Sequence, residues 1–295
     1  MPRDLLPRPS RGSRRLAEGP SSLDRRQARV GRLTSVPSPT DRFRLDGRCI
    51  AITGASSGFG HHFAGVLAAA GAHVVLGARR VDKIGSRVAE LREQGLAADG
   101  LPLDVTDRAS LEHFLEAAWD LEGHLDVLIN NAGVEAGAKT YANLDEDEWD
   151  RVLDTNLRAV WLASKLYTER VRARGQQGGN IVNISSITAY RTIKGQFPYA
   201  VSKAGLAKAT EVMALEGARY GIRVNALAPG YILTDVSRLL LESPLSEDFE
   251  KRIPQRRYGH FEDLDGPLLL LASDASTWMT GSTVVVDGGH LCAEL

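Results

Sequence analysis

The stretch CIAITGASSGFG, residues 49–60, joins a short apolar run to Gly54, Gly58 and Gly60. The run CIAIT (49–53) predicts a buried strand. The glycines let the backbone turn tightly into a helix and approach a pyrophosphate, which the free N–H groups and dipole of the helix N-terminus would stabilise. The spacing GxxxGxG differs from the commoner GxGxxG, and a plain strand-to-helix loop would also explain a glycine turn. Its position at the first strand–helix junction favours dinucleotide binding.

From residue 47 onward, short apolar runs alternate with longer helical patterns. Continuous apolar strands separated by helices indicate a parallel sheet that is buried on both faces. The sequence therefore predicts an α/β protein with a doubly wound parallel sheet of about seven strands, formed by a single domain over residues 45–295. The functional site should lie at the carboxyl ends of the strands. The predicted strands are 49–53, 73–78, 97–103, 125–130, 180–185, 222–228 and 282–287, and the predicted helices lie near 58–70, 81–94, 107–122, 145–173, around 199–203 and near 261–273.

Residues 1–44 differ in charge and composition from the rest of the chain. They contain 11 arginines and 4 acidic residues, a charge of +7, so the net charge of −1 leaves −8 for residues 45–295. Their prolines and the lack of sustained apolar periodicity predict a disordered basic tail. An over-long start is the other interpretation. A nucleic-acid-binding arm is less favoured, because runs of charge are usually only solvated, and we expect no nucleic-acid partner.

The composition also restricts where the protein works and what it binds. With 43% hydrophobic and 25% charged residues, it is typical of a soluble globular protein. Its apolar runs are far shorter than the roughly 20 residues of a membrane span, so no membrane partner is expected. Cys49 and Cys292 form neither a disulfide framework nor a CxxC metal pattern, which favours the cytoplasm. The neighbours His61 and His62 do not share a helix face, and we expect no metal site.

A tyrosine and a lysine lie four positions apart in PYAVSKAG, residues 198–205. On a helix, residues i and i+4 lie on one face, so Tyr199 and Lys203 can place their polar ends together. The cation would favour the phenolate and lower the pKa of the tyrosine, as acid–base catalysis near neutral pH requires. A surface pair at a common helical spacing is the alternative, and the pair alone does not decide between them.

Motifs spread over almost the whole predicted domain favour the catalytic interpretation. They are TGASSGFG (53–60), LDVT (103–106), NNAG (130–133), TNL (155–157), NISS (183–186), YAVSK (199–203), PGYILT (229–234) and TGSTVVVDGG (280–289). With these motifs in order, residues 45–290 resemble the single-domain branch of the short-chain dehydrogenase/reductase family. The resemblance implies a Rossmann-type fold, a nicotinamide cofactor, and hydride transfer between a carbonyl and an alcohol.

The resemblance also implies roles for individual residues. Tyr199 would be the proton donor in reduction and the base in oxidation, and Lys203 would lower its pKa and bond to the nicotinamide ribose. Ser186 would hydrogen-bond the substrate oxygen, and Asn156 would hold a water in a proton relay. A hydroxyl that caps backbone and a polar residue inside a helix are the plain alternatives for these two. The implied cofactor contacts are Gly54, Ser56, Ser57, Gly58, Phe59, Gly60, Arg79, Asp104, Val105, Asn131, Ala132, Gly133, Tyr199, Lys203, Pro229, Gly230, Ile232 and Thr234.

The choice of cofactor depends on the end of the second predicted strand. After VVLGA come Arg79 and Arg80, where an NAD enzyme usually carries an acid for the adenosine ribose hydroxyls. Asp82 is the first carboxylate, and helix capping explains it as well as ribose binding does. An arginine can bind a 2′-phosphate, so we expect NADP, held mainly by Arg79. The alternative is that both arginines face solvent and that NAD is used.

The predicted function is that of an NAD(P)-dependent oxidoreductase acting on a small-molecule carbonyl or secondary alcohol, such as a 3-oxoacyl compound, a sugar or a polyol. The alternative is a non-catalytic dinucleotide-binding sensor or scaffold of the same fold. Such a protein would be expected to lose Tyr199, Lys203 or Ser186, and all three are present. An epimerase or dehydratase is less favoured, because those relatives usually append a larger C-terminal substrate domain.

Two segments should form the substrate pocket, residues 187–197 and residues 235–259, and the second should close over the cofactor and substrate as a lid. Such loops vary freely on a shared scaffold, so the sequence does not identify the substrate. The family commonly pairs its long fourth and fifth helices across two-fold axes. We therefore expect a homotetramer formed through the helices that begin near 145 and 199.

Overall fold

The computed structural model describes residues 38–233 and 250–293, which fold around a seven-stranded β-sheet. The strand order is β3-β2-β1-β4-β5-β6-β7, and each neighbouring pair is parallel. The chain reverses its direction of progression between β1 and β4, and α/β proteins bind ligands in the crevice that this reversal creates. The strands are β1 (Cys49–Thr53), β2 (His73–Ala78), β3 (Ala98–Pro102), β4 (Val127–Asn130), β5 (Gly179–Ile184), β6 (Ile222–Pro229) and β7 (Thr283–Val286).

Helices cover both faces of this sheet. None of those in the described ranges is both long enough and apolar enough to span a lipid bilayer. The α-helices are α1 (Gly58–Ala69), α2 (Val81–Glu93), α3 (Arg108–Glu122), α4 (Glu146–Leu153), α5 (Ala159–Ala173), α6 (Phe197–Gly217) and α7 (Asp265–Ala272).

The central strand β1 shows why the sheet reads as continuous apolar runs. All five of its residues are buried, because helices pack on both sides. Its side chains alternate between two hydrophobic clusters, as a strand requires. Ile50 and Ile52 join the cluster that includes α1, α2 and α7, whereas Cys49 and Ala51 join the cluster that includes α3 and α5.

The predicted fold class, strand number and parallel pairing are confirmed. The helix predicted over 145–173 is divided, because α4 and α5 are joined by a π-helical turn at Asp154–Arg158. The helix predicted near 261–273 begins with a 3-10 turn at Phe261–Leu264. Most of the predicted tail, residues 1–37, lies outside the described residues, and within the remainder Pro39–Phe43 forms a short 3-10 helix.

A buried network of side-chain hydrogen bonds ties the sheet to α5 and α6. The Asn130 side-chain amide donates to the Asn183 side-chain oxygen at 2.9 Å and to the Ser164 hydroxyl at 3.1 Å. Asn183 in turn donates to the Thr210 hydroxyl at 2.9 Å. All four side chains are buried. The network holds the ends of β4 and β5 against the two helices, and α6 carries Tyr199 and Lys203.

Replacement of Asn130 by alanine should lower the free energy of unfolding by about 1–3 kcal/mol, because the Asn183 oxygen and the Ser164 hydroxyl lose a buried donor. Urea titration followed by circular dichroism measures this loss. Asn143→Ala removes an exposed amide and serves as the control. Equal midpoints for the two variants would show that the network does not stabilise the sheet.

Candidate active site

The glycine turn after β1 is held tightly against the loop that follows β4. Gly54 has φ +70°, and a Cβ there would lie 2.7 Å from the Ala132 Cα, so only glycine fits. The Thr53 hydroxyl accepts hydrogen bonds from the Asn131 and Ala132 N–H groups. The Asn131 side chain donates to the carbonyl oxygens of Thr53 and Gly54. The carboxyl ends of β1 and β4 are therefore locked together at the switch point.

The N-terminus of α1 faces a cleft of about 690 Å³ beside this lock. Its capping residue Ser57 makes no side-chain hydrogen bond to the helix, so the first N–H groups have no side-chain cap. Gly58 has φ +56°, and a Cβ built there meets nothing within 4 Å. A glycine bend, uncapped helix N–H groups and a helix dipole suit a pyrophosphate. The cleft volume is within the range of small-molecule sites.

Most of the predicted cofactor residues line this cleft. Gly60 does not: a Cβ there would lie 2.5 Å from the Asn131 side-chain nitrogen, so its glycine permits close packing of helix against loop. Gly230 packs against Asp287, and Ile232 lines a separate cavity of about 380 Å³. Thr234 and most of the predicted lid lie outside the described residues. The predicted residues that line the cleft are Gly54, Ser56, Ser57, Gly58, Phe59, Arg79, Asp104, Val105, Asn131, Ala132 and Gly133.

Two arginines from the end of β2 form one wall of the cleft. Arg80, not Arg79, reaches the glycine turn: its Nη2 donates to the Ser56 hydroxyl at 2.9 Å and to the Ser57 hydroxyl at 2.7 Å. Arg79 acts on Asp104 instead. Burial would raise the pKa of Asp104, but hydrogen bonds from Thr106 and the charge of Arg79 hold it below its ordinary value. The sequence predicts the phosphate contact mainly at Arg79, and the contact of Arg80 with the glycine turn was not predicted.

Tyr199 and Lys203 share one face of α6, as their spacing predicts. The Lys203 Nζ lies 5.5 Å from the centre of the Tyr199 ring. The amine is 5% exposed and donates to the Ile184 carbonyl oxygen, at the end of β5, at 2.8 Å. A Cβ at Gly133 would lie 3.8 Å from this amine, which places the NNAG loop beside it. The pair therefore lies where the carboxyl ends of β4 and β5 meet.

The pKa of Tyr199 differs from the prediction. Desolvation raises it to about 12, the negative charge of Glu135 adds to this rise, and the Ser186 side chain acts in the opposite direction. Desolvation also lowers the pKa of Lys203 to about 8, with Glu135 opposing the shift. Burial therefore sets the direction of the Tyr199 shift, and the resting tyrosine is a phenol. The predicted lowering of the pKa of Tyr199 by Lys203 is not seen.

Ser186 follows β5, as predicted, and is buried. Its hydroxyl accepts a hydrogen bond from the Thr188 N–H at 3.1 Å and so caps a 3-10 turn over Ile187–Ala189. The capping contact that we gave as the plain alternative is therefore present. It uses the hydroxyl as an acceptor, and the same side chain also acts on Tyr199. One oxygen can serve both contacts because a serine hydroxyl has two lone pairs and a proton.

Asn156 lies in the π-helical turn and is fully buried. Its side chain clamps the backbone of Val134: the oxygen accepts from the N–H at 2.8 Å and the nitrogen donates to the carbonyl at 2.8 Å. The nitrogen also donates to the Ser202 hydroxyl at 3.2 Å. Asn156 thus connects the loop after β4 to the helix of Tyr199. Its predicted role in holding a water stays a prediction, and π-turns are frequent at functional sites.

Glu135 is a site residue that sequence reasoning missed. It lies two residues beyond the NNAG motif and is exposed, yet its charge acts on Tyr199, Lys203 and Tyr231. An acid in the loop that follows a switch-point strand was the available signal.

Among the described residues, no group of three histidine, cysteine or acidic side chains could hold a metal ion.

The doubly wound sheet, the glycine-lined cleft and the cluster of Tyr199, Lys203 and Ser186 define a dinucleotide-binding oxidoreductase. A family model described as "Enoyl-(Acyl carrier protein) reductase" matches residues 54–290. The chain belongs to the short-chain dehydrogenase/reductase family. It acts on CH–OH or carbonyl groups with a nicotinamide cofactor, as the family does.

Three relatives show how far the likeness extends. The chain is 38% identical to bovine (Bos taurus) dehydrogenase/reductase SDR family member 4, over 84% of this chain and 88% of the relative. It is 34% identical to gluconate 5-dehydrogenase of Gluconobacter oxydans, over 85% and 98%. A solved gluconate 5-dehydrogenase from Burkholderia cenocepacia, in complex with NADP and tartrate, is 35% identical over 86% and 99%, with a TM-score of 0.81.

The buried amine makes a stability prediction with a definite sign. Folded Lys203 loses its proton near pH 8, whereas an unfolded lysine keeps it to about 10.5. Between these values the unfolded chain binds more protons, so the free energy of unfolding rises with pH. Lys203→Met should therefore be stabilising at pH 7, and this advantage should shrink by on the order of 3 kcal/mol as pH rises from 8 to 10.5.

Denaturant titrations at a series of pH values measure this difference. Lys208→Met, on the exposed side of the same helix, is the control, and its difference from the parent should not follow this pH dependence. A constant difference for Lys203→Met over this range would contradict a buried amine of lowered pKa.

Proposed function

We propose that the chain transfers hydride between NADP(H) and a small carbonyl or secondary alcohol compound, with Tyr199 as the general acid or base. The observation that carries this proposal is the meeting of the glycine-lined cleft and the Tyr199–Lys203 pair at the NNAG loop. The substrate class includes 3-oxoacyl compounds, sugars and polyols. A non-catalytic sensor would not need a buried amine beside a phenol, since burying an amine is costly.

In this proposal the nicotinamide supplies the hydride, and the chain's own residues hold the substrate and move the proton. A pKa of about 12 keeps Tyr199 protonated at neutral pH, so in the resting protein it is ready to act as the acid in reduction. The Ser186 side chain, which also interacts with Tyr199, would hold the substrate oxygen through its hydroxyl. Lys203, with a pKa of about 8, is mostly charged at pH 7 and would stabilise negative charge that develops on the phenol oxygen.

Tyr199→Phe keeps the ring and removes the transferable proton. Turnover should fall by at least about 100-fold, with little change in cofactor affinity. Steady-state assays of nicotinamide absorbance, together with cofactor titration, measure both quantities. Tyr141→Phe, at an exposed ring, is the control. Retained turnover in the Tyr199 variant would remove this residue from the mechanism.

The cofactor preference rests on the arginines at the end of β2. Arg80 bonds to both serines of the glycine turn, and Arg79 lies on the same wall, so their charges converge where an adenosine ribose would be held. An NAD enzyme usually places an acid there, and neither position is acidic. The related enzyme from Burkholderia cenocepacia was solved with NADP. These observations support NADP as the preferred cofactor.

Arg79→Ala and Arg80→Ala should each lower the NADPH-to-NADH ratio of kcat/KM by about 10- to 100-fold, because each removes a charge-assisted hydrogen bond to the 2′-phosphate. Because both cofactors are assayed on the same variant, a loss of kcat/KM caused by general loosening of the glycine turn cancels in this ratio. Lys83→Ala, which removes an exposed cation in the first turn of α2, is the matched control. A parent that prefers NADH, or an unchanged ratio in both variants, would overturn the assignment.

We also propose a homotetramer assembled through α5 and α6. These helices expose several large apolar side chains: Trp161 is 50% exposed, Val212 46% and Leu215 81%. Trp161 and Val212 line a shallow cavity of about 370 Å³ between the two helices. An exposed apolar face of this kind marks a protein interface.

A reducing, cytoplasmic location is supported by Cys49 and Cys292, which are both free thiols.

Light scattering on the parent should give a mass of four chains, and Trp161→Glu combined with Leu215→Glu should give a smaller assembly, because a carboxylate in an apolar interface is not compensated. Leu121→Glu, at an exposed leucine of α3, should leave the mass unchanged. A monomeric parent at micromolar concentration would count against the tetramer.

A further inference from the structure

A second cluster of polar groups lies where the loop after Ser186 meets the C-terminal turn. Arg191, five residues beyond Ser186, donates through Nη1 to the carbonyl oxygen of His290. His290 begins a short 3-10 turn that follows β7 and Gly289. The loop that carries the catalytic serine is thus tied to the chain that follows the last strand.

His290 is buried, with 5% of its surface exposed. Its Nδ1 has no hydrogen-bond partner in the described part of the chain. The ring lies 5.4 Å from the ring of Tyr231, which in turn meets the ring of Tyr258 at 6.4 Å. Buried polar atoms are nearly always hydrogen-bonded, so an unpartnered imidazole nitrogen beside Tyr231 indicates a place for a ligand atom.

Arg191 brings a positive charge to this cluster. Within residues 38–233 and 250–293, no carboxylate forms an ion pair with it. The neighbouring acid, Asp287, is already used: its two oxygens accept from the N–H groups of Gly289 and Leu291. One nitrogen of the guanidinium is held by the His290 carbonyl. Because a guanidinium has five N–H donors, the others remain for an anion, and a carboxylate suits their planar fork.

The cluster lies within electrostatic reach of the reaction centre. Tyr231 responds to the charges of Arg191 and Arg252 and also to Glu135, the same acid that acts on Tyr199 and Lys203. Burial and the positive charge of Arg191 lower the pKa of His290, which keeps its ring neutral near pH 7. Glu135 and Arg252 are exposed, so solvent screens their charges more than that of a buried group.

We propose that Arg191 and His290 form a subsite for the carboxylate of a hydroxy-acid or keto-acid substrate, whose reacting carbon lies at Tyr199. This inference rests on the proposed function, since it assigns one end of the substrate of that same site. The Arg191 guanidinium would bind one or both carboxylate oxygens, and the His290 Nδ1 would bond to the ligand as its buried donor. A carboxylate matches this pair because it offers two acceptor oxygens and a single negative charge.

Calorimetry on the protein saturated with NADPH tests the subsite without turnover. The probes are two pairs of alcohols that differ only in the acid group: D-gluconate with D-glucitol, and 3-hydroxybutyrate with 1,3-butanediol. In at least one pair the acid should bind about 10- to 100-fold more tightly than its neutral partner, as one charge-assisted hydrogen bond predicts. Arg191→Gln should abolish this preference, and His290→Asn should reduce it.

Lys208→Gln removes a positive charge from the exposed side of α6, outside both predicted substrate segments, and should keep the preference. Melting temperatures of all variants show whether each is folded, and the His290 variant gives an independent result if Arg191→Gln is not. Equal or undetectable binding of acid and neutral partner by the parent in both pairs overturns the subsite, as does a preference that survives in Arg191→Gln.

The subsite and the proposed function fail in different ways. A parent that reduces neutral ketones with NADPH but shows no preference for acids would contradict the subsite alone. A parent that prefers the acids by calorimetry but oxidises no NADPH with any carbonyl compound would contradict the proposed function instead.

Discussion

The proposed active site depends on one buried amine. Lys203 is almost completely removed from solvent, and its amine donates a hydrogen bond to the backbone carbonyl of Ile184. Burying an ammonium is costly, so the pKa of Lys203 falls to about 8. The same loss of water raises the pKa of the neighbouring Tyr199 phenol to about 12. The end of β5, the face of α6 and the NNAG loop must therefore meet in one arrangement. Gly133 lies in this arrangement, since a Cβ built on it would be 3.8 Å from the Lys203 Nζ.

The rest of the fold holds these three segments in position. Thr53 and Asn131 join the ends of β1 and β4 by hydrogen bonds that leave the glycine turn open to the cleft. Asn156 clamps Val134 from the π-helical turn and also contacts Ser202 on α6. The cofactor cleft and the Tyr–Lys pair are thus two sides of one hydrogen-bonded frame. A ligand in the cleft would lie against the same loop that lies beside the amine.

The sequence predicts much of this structure because its strongest signals are local. Strands such as β1 and β2 are short apolar runs, and the spacing of Tyr199 and Lys203 places them on one helix face whatever surrounds them. The π-turn at Asp154–Arg158 was not predicted, because it inserts into a pattern that otherwise continues as a helix. The contact of Arg80 with the glycine turn likewise depends on how β2 lies beside β1, which neighbouring arginines in a sequence do not reveal.

The raised pKa of Tyr199 in the protein without cofactor was not predicted, for a related reason. The sequence shows that a cation is near, but it does not show how much water the fold removes, and desolvation is the larger effect here. Glu135 shows the same limit, since its charge reaches the pair through space from a loop. The sequence predicts that Gly60 belongs to a phosphate-binding turn. In the structure, the absence of a side chain at Gly60 instead lets the helix pack closely against Asn131.

Ultraviolet titration of tyrosinate, recorded as the parent minus Tyr199→Phe, measures most directly whether burial sets the protonation of this pair. In the protein without cofactor, we predict that Tyr199 ionises near pH 12 and gives no phenolate signal at neutral pH. Saturation with NADP+ should move this ionisation to lower pH, because a cation brought near the phenol favours its charged form. A titration step between about pH 7 and 8 without cofactor would show instead that Lys203 controls the tyrosine despite its burial.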